Sequence, residues 1–245
     1  MRTLTRIILI SLLAIVIGCV YTNKWGSERI DSARQSVCII ETKIQFKLSE
    51  KGTTQIKDIK AIAIPIGDGL IIALTHATSL PEVVPINFGF MIMGVKTHLI
   101  DISFLINGHP AELVGREKGT DISLFRMEGM EAFPYSFGNS DDVKIGDEVL
   151  VVGYSFNQFF NVKDGVVSET NIPDEGFFKE LSDICFLISV PVNPGDSGSP
   201  LLAKNYNGHL EIVGIVNAMG NGNGLGFAIK SNVVTESIKN ILKRN

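Results

Sequence analysis

The sequence predicts an all-β protein. Its Val, Ile, Leu and Phe residues come in short runs separated by Gly, Asn, Asp and Pro, which is typical of strands joined by tight turns. Asp68-Gly69 and Asn107-Gly108 are strong hairpin signals, because these dipeptides tolerate the positive φ that a two-residue turn needs. One segment only, Ser231–Arg244, spaces its apolar residues as an amphipathic helix does.

The predicted strands fall into two groups. We expect them over residues 36–47, 60–66, 70–74, 102–106 and 111–114, and then over 148–154, 164–168, 184–190, 201–202, 211–216 and 225–229. The segment 128–147 is less regular, so we predict two halves, 36–134 and 135–245. The long stretch 81–101 is interpreted as a further strand of the first half, with a flap facing substrate or membrane as the alternative.

The first residues resemble an export signal. Arg2 and Arg6 precede an apolar run that ends near Val20, which is short for a membrane span but suits the core of a secretory signal. The run contains Val16-Ile17-Gly18-Cys19, which resembles a bacterial lipobox, so we predict a signal over 1–18 and lipid on Cys19. An uncleaved anchor and an ordinary signal are the alternatives. Residues 19–35 are interpreted as a tether or a short helix, and the chain as exported and attached to the cell-envelope membrane.

Composition argues against several other classes of protein. The net charge is −4 and there is no basic stripe, so nucleic acid is not an expected partner. Three scattered cysteines, Cys19, Cys38 and Cys185, predict neither a disulfide framework nor a zinc site. Whether Cys38 and Cys185 pair is left open. We predict no metal and no cofactor.

The segment from Asn193 to Pro200 (NPGDSGSP) carries the sharpest chemical signal. A serine hydroxyl becomes a good nucleophile when a base takes its proton and fixed N–H donors receive the oxyanion. Glycines beside Ser197 allow the backbone to direct two amides into one pocket, so we predict an oxyanion hole from Gly195 and Ser197. Taken alone, the motif could equally be a glycine-rich turn that happens to hold a serine.

A base and an acid complete the pattern. His76 follows the first predicted hairpin, and Asp121 opens the next strand. With Ser197 they give the chain order His, Asp, Ser of one known type of catalytic triad. The remaining histidines compete poorly, because His109 and His209 belong to Asn-Gly turns and should be solvated.

Six ordered segments resemble the trypsin-like peptidases, and most closely the bacterial Deg/HtrA type. These segments are 69–77 (GLIIALTHA), 113–124 (LVGREKGTDISL), 145–149 (IGDEV), 165–168 (GVVS), 193–202 (NPGDSGSPLL) and 224–232 (GLGFAIKSN). The resemblance implies two perpendicular antiparallel β-barrels with the active site in the cleft between them. His76 and Asp121 would come from the first barrel and Ser197 from the second.

The resemblance also implies a specificity pocket and the substrates. Its walls would come from Pro191, Asn217, Ala218, Met219 and Gly226. These segments offer no carboxylate for a basic guest and no cation for an acidic one, so cleavage is expected after small or medium apolar residues. The expected partners are protein or peptide substrates, and no motif predicts the oligomeric state.

The sequence also departs from the pattern of that type. It ends at the predicted helix where the Deg/HtrA type usually continues into a PDZ domain, so we expect none in this chain. Ser199 replaces a common glycine, and no activated N-terminus offers a partner for Asp196. An α/β-hydrolase is disfavoured because it needs Gly-x-Ser-x-Gly and a histidine after the serine. The interpretation is therefore a serine endopeptidase, with a catalytically silent binding lipoprotein of the same fold as the alternative.

Overall fold

The computed structural model describes residues 25–48, 52–87, 92–156, 158–172, 182–219 and 224–245. The chain separates into two compact units, Met1–Ser32 and Ala33–Asn245. The first unit is described only from Trp25, so the predicted signal and the lipid site at Cys19 lie outside the described residues. Helix α1 spans Ser27–Ser36, within the segment predicted as a tether or a short helix.

The first sheet is antiparallel and barrel-like. Its strands are β1 (Cys38–Lys47), β2 (Gln55–Gly67), β3 (Leu70–Leu74), β6 (His98–Ile106), β7 (His109–Pro110), β8 (Glu112–Glu117) and β9 (Ile122–Arg126). They pair in the order β7-β6-β1-β2-β3-β9-β8. Only Ala111 separates β7 from β8, so the two ends of this order are one stretch of chain and the sheet curls round on itself.

The second sheet closes into a six-stranded barrel. Its strands are β10 (Glu148–Ser155), β11 (Phe159–Glu169), β12 (Cys185–Ile188), β13 (Pro200–Lys204), β14 (Leu210–Met219) and β15 (Gly226–Lys230). They pair in the order β10-β11-β12-β15-β14-β13. Together with helix α2 (Ser231–Arg244), the two sheets confirm the predicted fold class.

The two predicted hairpins formed as the turn chemistry required. Asp68, Gly69, Asn107 and Gly108 all have positive φ, between 48° and 83°. The hairpin at Asp68-Gly69 joins β2 to β3, and the one at Asn107-Gly108 joins β6 to β7. Several strands are longer than predicted, because polar residues such as those at the start of β2 continue the ladder beyond the apolar run.

The interpretation of residues 81–101 as one barrel strand is wrong. The segment contains β4 (Val83–Asn87) and β5 (Ile92–Lys96), which pair with each other as a separate two-stranded sheet. These two strands are largely exposed and belong to neither barrel, whereas residues 98–101 begin β6 of the first sheet. Residues 88–91, which link them, lie outside the described residues.

The chain crosses from the first sheet to the second between residues 133 and 136. The Phe133 amide donates to the Pro65 carbonyl of β2, whereas the Ile212 amide of β14 donates to the Ser136 carbonyl. The 3₁₀ helix η2 (Ser140–Asp142) follows. The boundary predicted at residue 134 falls in this crossing, and the division into two domains stays a prediction.

Each sheet packs an apolar interior. The core inside the first sheet includes Ile40, Ile71 and Phe125, and the core of the barrel includes Val151, Phe186 and Leu201. In β1 the buried side chains alternate with less buried ones, as expected when one strand face points into a core. Within the described ranges, no helix is both long and apolar enough to span a membrane.

Candidate active site

His76 and Asp121 are brought together by strand register. Strands β3 and β9 pair with Leu74 opposite Ile122, so the residues just beyond these two positions are neighbours. His76 lies in the 3₁₀ turn η1 (Thr75–Ala77) that ends β3. The Thr75 amide donates to the Asp121 carbonyl at 2.8 Å, which fixes the two strand ends together.

Among the described residues, three N–H groups lie within hydrogen-bonding distance of the Asp121 carboxylate. The His76 amide donates to Oδ1 at 2.8 Å, and His76 Nδ1 lies 2.6 Å from Oδ2. The Asn217 side chain donates to Oδ2 at 2.7 Å. Asp121 holds a φ of +59°, which is uncommon for a residue other than glycine. A positive φ, which Asp68, Asn107 and Phe156 also have, thus occurs at the residue whose carboxylate contacts the histidine.

Ser197 approaches the histidine from the second sheet. Its Oγ lies 3.2 Å from His76 Nε2, so Asp121, His76 and Ser197 form one continuous chain of hydrogen-bonding distances. The Ile62 amide of β2 donates to the Ser197 carbonyl, and the Gly198 amide donates to the Val216 carbonyl of β14. The nucleophile segment, residues 191–199, is therefore held by strands of both sheets.

Gly198 is required by space as well as by backbone conformation. Its φ is +89°, and a Cβ at this position would lie 2.0 Å from the Ile62 carbonyl oxygen. The close approach allows β2 to bond the carbonyl of Ser197. The glycine that sequence analysis assigned to backbone bending therefore also provides contact between the two sheets.

The amides of Gly195 and Ser197 are free to receive an anion. Gly195 has a φ of +95°, and within the described part of the chain neither amide has a hydrogen-bond acceptor. The intervening Asp196 amide does have one, the Asn193 carbonyl at 3.0 Å. Two donors without an acceptor beside the nucleophile are the arrangement that an oxyanion hole needs.

Asp196 has a partner that sequence analysis did not find. Its carboxylate is fully buried and forms an ion pair with Lys163 of β11. Ser155 of β10 donates to the same carboxylate at 3.0 Å, and the Asn193 amide donates at 2.7 Å. The expectation that Asp196 lacks a partner is therefore wrong, because the cation comes from a strand rather than from a chain end.

The predicted pocket residues have different surroundings. Pro191 is exposed, and Gly226 is buried against Val192, whose Cγ2 would lie 2.3 Å from a Cβ at Gly226. Asn217 lies at a register shift of β14 and directs its amide to Asp121, a contact that sequence analysis did not predict. Ala218 and Met219 belong to β14, and their side chains are not described.

The cysteines, two histidines and Ser199 complete the predicted groups. Cys38 and Cys185 are buried free thiols, one in each sheet, and His109 and His209 are exposed. Ser199 is fully buried, and its hydroxyl has no hydrogen-bond partner among the described residues. Nowhere in the described ranges are three or more His, Cys, Asp or Glu side chains grouped so as to hold a metal ion.

The chain is similar to several known proteins. A family model described as a trypsin-like peptidase domain matches residues 103–215. A probable periplasmic serine endoprotease, DegP-like, of Rickettsia prowazekii (strain Madrid E) is 28% identical over 188 residues, which is 74% of this chain and 34% of that protein. A protein of the same description from Pseudomonas putida (strain W619) is 33% identical over 141 residues, 55% of this chain and 27% of that protein.

The fold has solved counterparts. The HtrA-type protease AlgW with tripeptide superimposes with a TM-score of 0.62 at 22% identity, covering 89% of this chain and 64% of that one. The chain spans about a third of the length of the curated relatives it matches. The predicted resemblance is confirmed: residues 103–215 match the model of a trypsin-like peptidase domain, and the chain is similar to DegP/HtrA-type serine endoproteases.

Proposed function

We propose that this protein is a serine endopeptidase that uses His76, Asp121 and Ser197 as its catalytic triad. The observation that carries the proposal is the unbroken chain of hydrogen-bonding distances from Asp121 through His76 to Ser197. A general base must lie within hydrogen-bond reach of the proton it removes, and these distances meet that condition.

The reaction would follow from these contacts. As Ser197 Oγ attacks the substrate carbonyl, His76 Nε2 takes its proton and the amides of Gly195 and Ser197 receive the oxyanion. Asp121 keeps the Nδ1 proton in place and stabilises the imidazolium that forms. That imidazolium then gives its proton to the leaving amine, and a water attacks the acyl-enzyme by the same route in reverse. Asn217 would assist by holding Asp121.

Labelling of the nucleophile tests this proposal. A fluorophosphonate probe should modify the wild-type protein at Ser197 and should not modify Ser197→Ala. Turnover of casein or a peptide should fall by about 10⁴ or more in Ser197→Ala and in His76→Ala. Ser199→Ala is the matched control, because that hydroxyl is buried two residues away and lacks a partner among the described residues. An unlabelled, folded wild-type protein would favour the silent binding module instead.

We also propose that cleavage follows small or medium apolar residues. Two features support this proposal. Val192 lies against Gly226, and Lys163, which donates to the Pro191 carbonyl, is paired with Asp196. Among the described residues named here, the one buried cation and the one buried carboxylate are paired with each other, so neither is offered to a basic or acidic guest, whose burial would cost several kcal/mol. Mass spectrometry of a digested peptide library measures the preference, and dominant cleavage after Arg, Lys or Glu would contradict it.

We further propose that the catalytic domain is exported and attached to a membrane through lipid on Cys19. The relatives named as periplasmic endoproteases support export, and the lipobox-like sequence supports attachment. The mature protein should begin at Cys19, partition into detergent and become soluble in Cys19→Ser. An intact mass with Met1 retained or with residue 19 unmodified would show that the attachment is wrong.

A further inference from the structure

We propose that Lys163 is a positioning residue that holds the oxyanion hole in its working shape. The proposal rests on the proposed function and extends it to a residue on a strand of the second barrel. Lys163 lies on β11, opposite Val151 of β10, and its side chain is only 12% exposed. A buried ammonium needs anionic or carbonyl partners. Among the described residues, Lys163 has two, the Pro191 carbonyl and the Asp196 carboxylate, and both belong to the nucleophile segment.

Lys163 ties together two ends of that segment. Its Nζ donates to the Pro191 carbonyl at 3.0 Å and pairs with the Asp196 carboxylate. Between these two contacts lies the Asn193 amide, which donates to the same carboxylate at 2.7 Å. One cation and one carboxylate thus fix the backbone from Pro191 to Asp196 from inside the barrel.

Asp196 is the residue between the two oxyanion donors. Its side chain is fully buried, so it points away from the cleft while the amides on either side remain without acceptors. Turning Asp196 outward would rotate the peptide units that carry the Gly195 and Ser197 amides. The ion pair therefore opposes the motion that would dismantle the oxyanion hole.

The surrounding chain is shaped to receive this carboxylate. Gly153 of β10 lies so close that a Cβ there would be 2.4 Å from Asp196 Oδ1. Ser155 donates to both carboxylate oxygens, at 3.0 and 3.2 Å. The next residue, Phe156, adopts a φ of +55° and donates its amide to the Pro194 carbonyl at 2.7 Å. The β10–β11 hairpin thus binds the nucleophile segment at Pro191, Pro194 and Asp196.

Removing the ammonium should impair chemistry more than substrate binding. In Lys163→Met the buried carboxylate loses its countercharge, and its release to solvent should turn the oxyanion donors away. Loss of one such donor lowers kcat by about 10² to 10³, so we expect a fall of that size in kcat with KM changed less than about threefold. Lys163→Arg keeps the charge, so its kcat should be at least tenfold higher than that of Lys163→Met.

Two further variants separate positioning from general stability. Lys60→Met removes a lysine of β2 that pairs with Glu41 at 2.8 Å on the surface, and its kcat should match wild type. The double variant Lys163→Met with Asp196→Asn leaves no unpaired charge, so its loss should be smaller than the product of the two single losses. If Lys163→Met alone does not fold, the double variant is compared with Asp196→Asn, and equal kcat values are expected because Lys163 acts through Asp196.

An amide resonance measurement completes the test without turnover. In ¹⁵N-labelled protein, the Gly195 and Ser197 amide shifts should change in Lys163→Met, while the low-field proton between His76 and Asp121 should persist. Unchanged amide shifts, or a kcat within threefold of wild type in the folded variant, would overturn the inference. Turnover that survives in Ser197→Ala would instead overturn the proposed function, so the two failures are distinguishable.

Discussion

At the scale of single residues, the candidate site depends on backbone contacts that no motif records. The sequence order of His76, Asp121 and Ser197 was sufficient to predict which side chains would meet. It was not sufficient to predict Asn217, which the resemblance assigned to the specificity pocket. The reason is a register shift of β14 between Val216 and Ala218, a local irregularity that redirects one side chain.

Asn217→Ala is expected to lower kcat/KM by about ten- to a hundredfold. The substitution removes a 2.7 Å hydrogen bond to the Asp121 carboxylate, and hydrogen bonds to charged groups are worth about 1.5–3 kcal/mol. Steady-state kinetics on a peptide substrate measures the change. Asn205→Ala is the matched control, because that amide also bonds a carboxylate, Glu211 at 2.6 Å, but outside the cleft. Equal effects of the two substitutions would contradict a role for Asn217 at Asp121.

Lys163 was missed for a different physical reason. It lies 33 residues before Asp196 on β11, and no motif of the sequence connects the two positions. Only closure of the barrel brings β11 against the nucleophile segment. Sequence motifs therefore do not predict buried ion pairs between strands that are distant in sequence. They do predict glycines in tight turns, such as Gly69 and Gly108.

At the scale of elements, helix α2 packs on β8 and on the turn that holds Asp121. Ile241 packs on Gly115 of β8, and Ser237 bonds Thr120, the residue before Asp121, at 2.9 Å. Arg244 pairs with Glu117 on the same stretch. The helix was predicted with its observed bounds because its apolar spacing is strong, but its contact with the acid residue of the site was not predictable from periodicity.

Ile241→Ala is expected to lower the free energy of unfolding by about 2–5 kcal/mol, the usual cost of truncating a fully buried Ile. Denaturant unfolding followed by tryptophan fluorescence or circular dichroism measures it. The adjacent Leu242, which is 41% exposed, provides the control, and Leu242→Ala should cost less than about 1 kcal/mol. If the two variants were equally stable, the helix would not be anchored through Ile241.

At the scale of the whole molecule, the two sheets are linked through the site itself. The Ile62 amide of the first sheet bonds Ser197, and Asn217 of the second bonds Asp121. The two-barrel fold class followed from the resemblance, and these two hydrogen bonds show how residues of both sheets meet at the site. The β4–β5 sheet could not be assigned from sequence, because an exposed hairpin and a barrel strand share the same alternation.

Each of the two barrel-like sheets also buries one thiol. These thiols predict how the free energy of unfolding changes at alkaline pH. Burial raises the pKa of Cys38 to about 11 and that of Cys185 to about 12, from an ordinary value of 9.0. Smaller opposing effects come from a hydrogen bond with Asn107 at Cys38 and from the charge of Lys230 at Cys185. Below about pH 9 both thiols are protonated in the folded and the unfolded chain, so stability there is unaffected.

Between about pH 9 and 11 the unfolded chain releases thiol protons that the folded chain keeps, so stability should fall as pH rises. At pH 10.5 the loss should be about 1–2 kcal/mol for each thiol, which thermal unfolding detects as a lower Tm. The variant with both Cys38→Ala and Cys185→Ala should lose less stability between pH 8 and 10.5 than the wild type. Both proteins have the same Lys and Tyr residues, so the effect of their titration cancels when the two losses of stability are compared. An equal fall in Tm for the two proteins would show that the buried thiols do not contribute.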